Sequence, residues 1–148
     1  MPLIRTCLGG LALVSAAGAL TAGCGDAGDS GSAASSRPSD TVGVKATEMR
    51  FDLTTDRAPA GQVTFNVDNT GAVPHEMVVV RTDTPAGDLP EKNGKRDETG
   101  AVGAITAAQL QPGASASLTR ALPAGHYALV CALPGHYEAG MYADFTVG

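Results

Sequence analysis

The chain has 148 residues and a formal net charge of −5, with ten Lys and Arg against fifteen Asp and Glu. This length allows one folded domain of ordinary size, and the acidic balance excludes a basic surface that could offset the phosphates of a nucleic acid. Nineteen Gly, nine Pro, no Trp, three Phe and three Tyr are typical of short strands joined by turns and not of a bundle of long helices.

The N-terminus has the pattern of a secretory signal peptide. Arg5 is followed by an uncharged stretch at residues 7–23, built mainly of Leu, Ala and Gly. This stretch is short for a membrane span and no cluster of positive charge follows it. It ends in Leu-Thr-Ala-Gly-Cys, which resembles a bacterial lipobox and predicts removal of residues 1–23 and lipidation of Cys24. The alternative is ordinary cleavage with Cys24 left as a free thiol. In both cases we expect an extracytoplasmic domain.

Residues 24–41 predict a flexible linker, because after Cys24 they contain no large apolar side chain whose burial could offset the entropy of ordering. About 17 residues of such a coil would span on the order of 20 to 25 Å. A lipid on Cys24 would therefore hold the domain at the cell membrane. Loss of Arg5 with the signal peptide leaves nine basic and fifteen acidic groups, so the formal charge of the mature chain is −6.

Residues 42–148 predict a single all-β domain, a β-sandwich of antiparallel strands. The clearest strand is 62–68, where Val63, Phe65 and Val67 alternate with polar residues, so that one face meets a core and the other meets water. Further strands are predicted at residues 76–81, 115–122, 127–131 and 142–147. Residues 83–109 are the least regular; they predict a solvated, charged loop and are compatible with a short helix at 104–109.

The residues that carry chemistry are His75 and a short segment near the C-terminus. Cys131, His136 and Met141 are separated by four residues each time, with Pro-Gly and Ala-Gly turn signals between them. Such a loop can fold its three donors toward one point, and His75, at the start of a predicted strand, can add a fourth. Two imidazoles, one thiolate and one thioether suit copper in an electron-transfer centre. Structural zinc sites favour more thiolates, and calcium and magnesium favour oxygen.

The same residues resemble those of the cupredoxins, the type 1 blue copper proteins. Cys-x4-His-x4-Met, after an upstream Asn-Thr-Gly at 69–71 and His75, is similar to the loops of auracyanin, rusticyanin and sulfocyanin-like proteins. Residues 123–131 resemble the Pro-Gly-x-Tyr-x-x-x-Cys strand of that family. The resemblance spans residues 42–148 and implies a Greek-key sandwich that binds one type 1 copper ion. It also implies three equatorial ligands and one axial ligand, which are His75, Cys131, His136 and, as the axial ligand, Met141. Glu76 stands where plastocyanin has an Asn that braces the ligand loop, which leaves the hydrogen bonding of the Cys sulfur open.

Each predicted ligand has a simpler interpretation when it is taken alone. His75 could be a satisfied histidine at a strand start, Cys131 a buried inert thiol and Met141 a core residue. Their joint occurrence in this order and spacing favours copper. His126 is expected to face water, because it alternates with the residues that point to the core. Met49 is assigned to the core and not to the ligand set.

Four protein donors leave no open position for water or substrate, so the sequence predicts a one-electron carrier and not an enzyme, with no small-molecule substrate. Redox protein partners are expected to dock where the His136 imidazole edge reaches the surface. Its expected apolar rim consists of Ala72, Val73, Pro74, Leu133, Pro134 and Ala139. Glu76 and Glu138 would favour partners with a basic face.

Two other functions fit parts of the sequence. An extracytoplasmic copper chaperone or buffer would pass on the ion itself, although four Met and three His are few for such a protein. An adhesive or structural sandwich without metal would lose only stability on Cys131→Ser. No P-loop, dinucleotide fingerprint or nucleophile elbow appears in the sequence, so phosphate binding and serine-hydrolase chemistry have no support in it.

Overall fold

A computed structural model describes residues 40–92 and 95–148. The predicted signal peptide, Cys24 and the linker up to residue 39 lie outside the described residues. Within the described ranges there is one 3-10 helix, Ala86–Asp88, and there are eleven strands. The strands are β1 Asp40–Thr47, β2 Arg50–Leu53, β3 Arg57–Ala58, β4 Gly61–Asn69, β5 Met77–Arg81, β6 Glu91–Lys92, β7 Lys95–Arg96, β8 Ala101–Ile105, β9 Ser115–Leu122, β10 Gly125–Val130 and β11 Tyr142–Val147. The described ranges contain no helix with the length and apolar character needed to cross a membrane.

The strands form two main sheets and one hairpin. One sheet has the order β2-β1-β4-β9, the other has the order β3-β11-β10-β5-β8, and β6 pairs with β7. The all-β sandwich predicted from the strand pattern is confirmed. Most pairs are antiparallel, but β1 runs parallel to β4 and β3 runs parallel to β11. The alternation of residues along a single strand carries no information about the direction of its neighbour, which is why these two pairs were not predicted.

The core lies between the two sheets. Val63, Phe65 and Val67 of β4 are fully buried, as their alternation with polar residues predicts. Phe65 meets Phe145 of β11 edge to face, with ring centroids 5.2 Å apart, a geometry that adds about 0.5 to 1.5 kcal/mol to the burial of the two rings. Tyr127 of β10 is also buried, and its hydroxyl donates to the carbonyl of Pro123 at 2.7 Å. Because this core packs the two sheets against each other, the loops at the ends of the strands start from fixed positions.

The segment 83–109 differs from its prediction as a solvated loop. Ala86 and Leu89 are buried in a second apolar cluster on the outer face of the five-stranded sheet. The short helix with which residues 104–109 are compatible does not form, because Ala104 and Ile105 belong to β8, which pairs with β5. Four consecutive residues of β5, 77–80, are buried, so both faces of this strand must be covered. The segment covers the outer face.

His126 and Met49 both lie close to where the sequence analysis places them. His126 points to the outer face, but its side chain is only 26% exposed and contacts both Thr82 and Asp144. Its Nδ1 lies 2.7 Å from the Thr82 carbonyl and its Nε2 lies 2.9 Å from Asp144 Oδ1. Met49 is partly buried and packs against the main core, as predicted.

Candidate metal centre

His75 is held by the loop between β4 and β5. Its side chain is fully buried, and its backbone N–H donates to the Leu110 carbonyl at 3.1 Å. The start of this loop is fastened by Asn69, which is 1% exposed. The Asn69 amide donates to the carbonyls of Val73 and Leu110, each at 2.8 Å, and its Oδ1 accepts the N–H of Gly71 at 2.9 Å. The imidazole therefore enters the site from a backbone that the sandwich itself fixes.

Glu48 fastens the same loop from outside. This exposed carboxylate accepts hydrogen bonds from the N–H groups of Ala72 and Val73, the second at 3.2 Å. The hydrogen bond from Ala72 is the main reason that the pKa of Glu48 lies below its ordinary value of 4.5, and the N–H of Val73 and the nearby His75 act in the same direction. Glu48 is thus a positioning residue for His75 that the sequence analysis missed. The spacing of 27 residues between the two offers no sequence signal.

The Glu48 contact predicts a pH dependence of stability. A carboxyl whose folded pKa is lowered stabilises the fold above its unfolded pKa, and that contribution is lost as the pH falls through the folded value. We therefore expect the unfolding midpoint to fall more steeply below about pH 4.5 in the wild-type protein than in Glu48→Gln. Thermal unfolding between pH 3 and 6 measures the difference. Glu91→Gln, at an exposed carboxyl of β6, is the control. Parallel curves for the wild type and Glu48→Gln would show that the contact contributes nothing to stability.

The other predicted ligands lie on the loop between β10 and β11. The N–H of Cys131 donates to the Met141 carbonyl at 3.0 Å, and the N–H of Met141 donates to the His136 carbonyl at 3.0 Å. Gly135 and Gly140 have φ values of 82° and 102°, a backbone region that glycine enters without steric cost. These turns bend the loop so that its three donor residues are brought back to the end of the sandwich.

Three of the four predicted ligands come together there. The donor atoms of His75, Cys131 and His136 all lie within 4.8 Å of one another. The Nδ1 of His136 is 3.4 Å from the Nδ1 of His75 and 3.4 Å from the Sγ of Cys131. His75 and Cys131 are buried, whereas His136 is partly exposed. Met141 is fully buried, and its backbone is hydrogen-bonded to both Cys131 and His136.

The spacing and chemistry of these donors fit a small transition-metal ion. Bonds of about 2.0 to 2.3 Å to nitrogen and sulfur would separate trigonally placed donors by roughly 3.5 to 3.8 Å, close to the observed 3.4 Å. Burial, followed by the neighbouring His136, lowers the pKa of His75, so its imidazole is kept neutral and able to bind a metal. Two imidazoles and a thiolate with a nearby thioether form the set that copper occupies in electron-transfer sites.

The Cys131 sulfur accepts a backbone hydrogen bond in spite of the unusual residue after His75. The N–H of Glu76 lies 3.4 Å from Cys131 Sγ. Burial raises the pKa of the Cys131 thiol, and the N–H groups of Glu76 and Leu133 oppose that rise. Because the donor is a backbone group, a Glu in place of the Asn of plastocyanin leaves this hydrogen bond in place. The structure therefore answers the question that the sequence left open, because the Cys131 sulfur does accept a hydrogen bond.

The fold and the donor set together define a blue copper protein of the cupredoxin class, with one copper ion as its cofactor. Residues 35–148 match the family model described as the sulfocyanin (SoxE) domain. The chain therefore belongs to the sulfocyanin domain family.

Solved structures support the same class. A reduced auracyanin from Roseiflexus castenholzii is 25% identical, with a TM-score of 0.57 over 74% of this chain and 98% of that one. Auracyanin B is 28% identical, with a TM-score of 0.59 over 76% of this chain and 91% of that one. A reduced rusticyanin is similar in fold, at 21% identity, a TM-score of 0.52 and coverage of 76% and 82%. No curated protein sequence matches the chain significantly.

Proposed function

We propose that this protein is an extracytoplasmic electron carrier that passes one electron at a time between redox proteins and catalyses no reaction of its own. The observation that carries the proposal is the cluster of His75, Cys131 and His136 donors, already gathered at one end of the sandwich. A lipid on Cys24, supported by the lipobox-like sequence, would hold the carrier at the cell membrane.

The chain's own residues suit this task because they hold the donors still and keep water out. Copper bound here supplies one-electron chemistry by alternating between Cu(I) and Cu(II). Asn69 and the N–H of Glu76 fix the positions of His75 and Cys131 from the protein side. Burial of His75, Cys131 and Met141 limits contact of these donors with water, and four protein donors would fill the coordination positions that hydrolytic metal catalysis keeps open.

Electrons would enter and leave at the partly exposed His136. Ala72, Pro134 and Ala139 are exposed around it, and Val73, Pro74 and Leu133 are half-buried, so the rim permits brief contact with an apolar patch on a partner. Glu138 is paired with Arg96 at 3.0 Å, which partly offsets its charge. The preference for basic partners therefore depends mainly on the overall negative charge of the chain.

Reversible electron exchange tests this function. We expect the copper-loaded protein to exchange one electron per molecule with hexaammineruthenium while it keeps its copper in the presence of a Cu(I) chelator. Stopped-flow absorbance measures the exchange and chelator absorbance measures copper loss. A colourless copper site that gives up its ion rapidly would overturn the proposal and favour a copper chaperone.

The same assay with Ala139→Lys tests the place of exchange. One added charge about 8 Å from a trivalent cation raises the encounter energy by about 1.5 kcal/mol in water, so the rate should fall by roughly tenfold at low salt. The difference should shrink as salt is added. Ala121→Lys, on the exposed face of β9 at the end of the strand remote from Asn69, is the matched control. Equal slowing by both variants would contradict docking at the His136 rim.

A further inference from the structure

We infer that residues 82–92 and 95–100, here called the brace, hold the ligand loop in its metal-binding shape before copper arrives, with Tyr137 as the positioning residue. The ligand loop comprises residues 131–141. The inference rests on the proposed function, because it concerns the loop that carries Cys131, His136 and Met141. It assigns a role to a segment whose sequence predicts only a solvated loop.

Tyr137 is the direct link between the brace and the ligand loop. It follows His136 in the chain and is 5% exposed. Its hydroxyl donates to the Ala86 carbonyl at 2.6 Å and accepts the N–H of Leu89 at 3.1 Å. Its ring belongs to the same apolar cluster as Ala86 and Leu89. The backbone beside the partly exposed ligand is thus fastened at two points to a segment outside the loop.

Arg96 adds a second link on the outer side. Its guanidinium carbon lies 4.4 Å from the centre of the Tyr137 ring, within the range of a cation–π contact. One guanidinium nitrogen donates to Glu138 Oε1 at 3.0 Å and another donates to the Leu89 carbonyl at 3.3 Å. Arg96 therefore connects the brace, Tyr137 and the next residue of the ligand loop.

The brace is itself anchored to the sandwich. The N–H of Ala86 donates to Asp144 Oδ1 on β11 at 2.7 Å. Ala86 and Leu89 pack against four residues on the outer face of β5 and β10, which are Val78, Val80, Ala128 and Val130. Burial of these apolar side chains favours the packed position of the segment. Because the brace is packed down on the sheet, it can restrain Tyr137 and does not merely move with it.

The ligand loop needs such a restraint. The Cys131 N–H to the Met141 carbonyl closes the base of the loop. The other backbone hydrogen bonds within it are short-range turns: His136 N–H to Leu133, Ala139 N–H to Gly135, Gly140 N–H to Tyr137 and Met141 N–H to His136. Turns of this kind open readily when no side chain anchors them. A loop that is fixed from outside keeps the same donor positions with and without the ion, which reduces the rearrangement that accompanies electron transfer.

Amide hydrogen exchange of the metal-free protein tests the brace, with Tyr137→Phe as the variant. Removal of the hydroxyl breaks both of its hydrogen bonds but keeps the ring, so we expect the protection of the Ala139, Gly140 and Met141 amides to fall roughly five- to tenfold. Amides of β4 should keep their protection. Tyr142→Phe is the matched control, because its ring lies 5.1 Å from that of Tyr137 and is exposed; it should leave the loop amides unchanged.

Unchanged loop protection in Tyr137→Phe, or an equal loss in Tyr142→Phe, would overturn the inference. Should Tyr137→Phe fail to fold, Glu138→Ala removes the acceptor of the Arg96 guanidinium and should lower the same protection about twofold. No change in Glu138→Ala would then overturn the inference. The measurement needs no copper, so a wild-type protein that fails to exchange electrons defeats the proposed function without affecting this test.

Discussion

Cys131→Ser should abolish the intense visible absorption that Cu(II) produces in the wild-type protein. That absorption is the sulfur-to-copper charge transfer expected of the blue copper class, and a serine hydroxyl is neither soft nor ionised at neutral pH. The affinity for Cu(II) should fall by more than the roughly 10- to 100-fold that the loss of an outer hydrogen-bond partner costs. Absorption spectra during Cu(II) titration, followed by ascorbate reduction and reoxidation, measure both effects.

The same experiment separates loss of a ligand from loss of the fold. The buried hydroxyl of the serine can still accept the N–H of Glu76, so the unfolding free energy should fall by only about 1 to 2 kcal/mol. Met49→Leu is the matched control, since Met49 packs against the core outside the predicted ligand set, and it should keep the band. If Cys131→Ser kept the band, or the wild type formed none, the copper assignment would be wrong for this site. A wild type without the band would favour a sandwich that binds no metal.

Asn69→Ala should produce the largest loss of stability among the substitutions considered, together with weaker copper binding. The buried amide makes three hydrogen bonds that hold the β4–β5 loop. Alanine would remove the donor to the Val73 carbonyl and the acceptor of the Gly71 N–H. The Leu110 carbonyl would still accept the N–H of His75. We expect the unfolding free energy of the metal-free protein to fall by about 2 to 4 kcal/mol, since each unsatisfied buried group costs roughly 1 to 3 kcal/mol. Urea denaturation measures this loss, and Cu(II) titration shows the displacement of His75.

Asn66→Ala supplies the control on the same strand. Asn66 is exposed and accepts one hydrogen bond, from Ser117, so its replacement should cost less than about 1 kcal/mol. Copper binding should be unchanged in that variant. If the two alanine variants were equally stable, the contact with Glu48 would be sufficient to hold the loop, and Asn69 would have no special role in placing His75.

Several strands could be predicted from local pattern alone. The observed limits of β9, Ser115–Leu122, and β11, Tyr142–Val147, are those predicted, and β4 differs by one residue at each end. Alternating apolar residues report which face of a strand is buried, and Gly and Pro mark where it ends, so both signals lie within a few residues. The apolar cluster on the outer face of the five-stranded sheet was not predicted. The four consecutive apolar residues at 77–80 indicate it, because such a run is typical of a strand that is buried on both faces.

The sequence by itself determined which atoms are available to bind a metal, because donor chemistry belongs to each side chain and the spacing of Cys131, His136 and Met141 is local. Only the tertiary structure decided that His75 meets Cys131, since pairing between β5 and β10 brings these distant positions together. It also decided that a backbone N–H of Glu76 reaches the sulfur and that Tyr137 lies beneath Arg96. Such contacts depend on how the strands pair and how loops pack across them, and neither is encoded by a short run of residues.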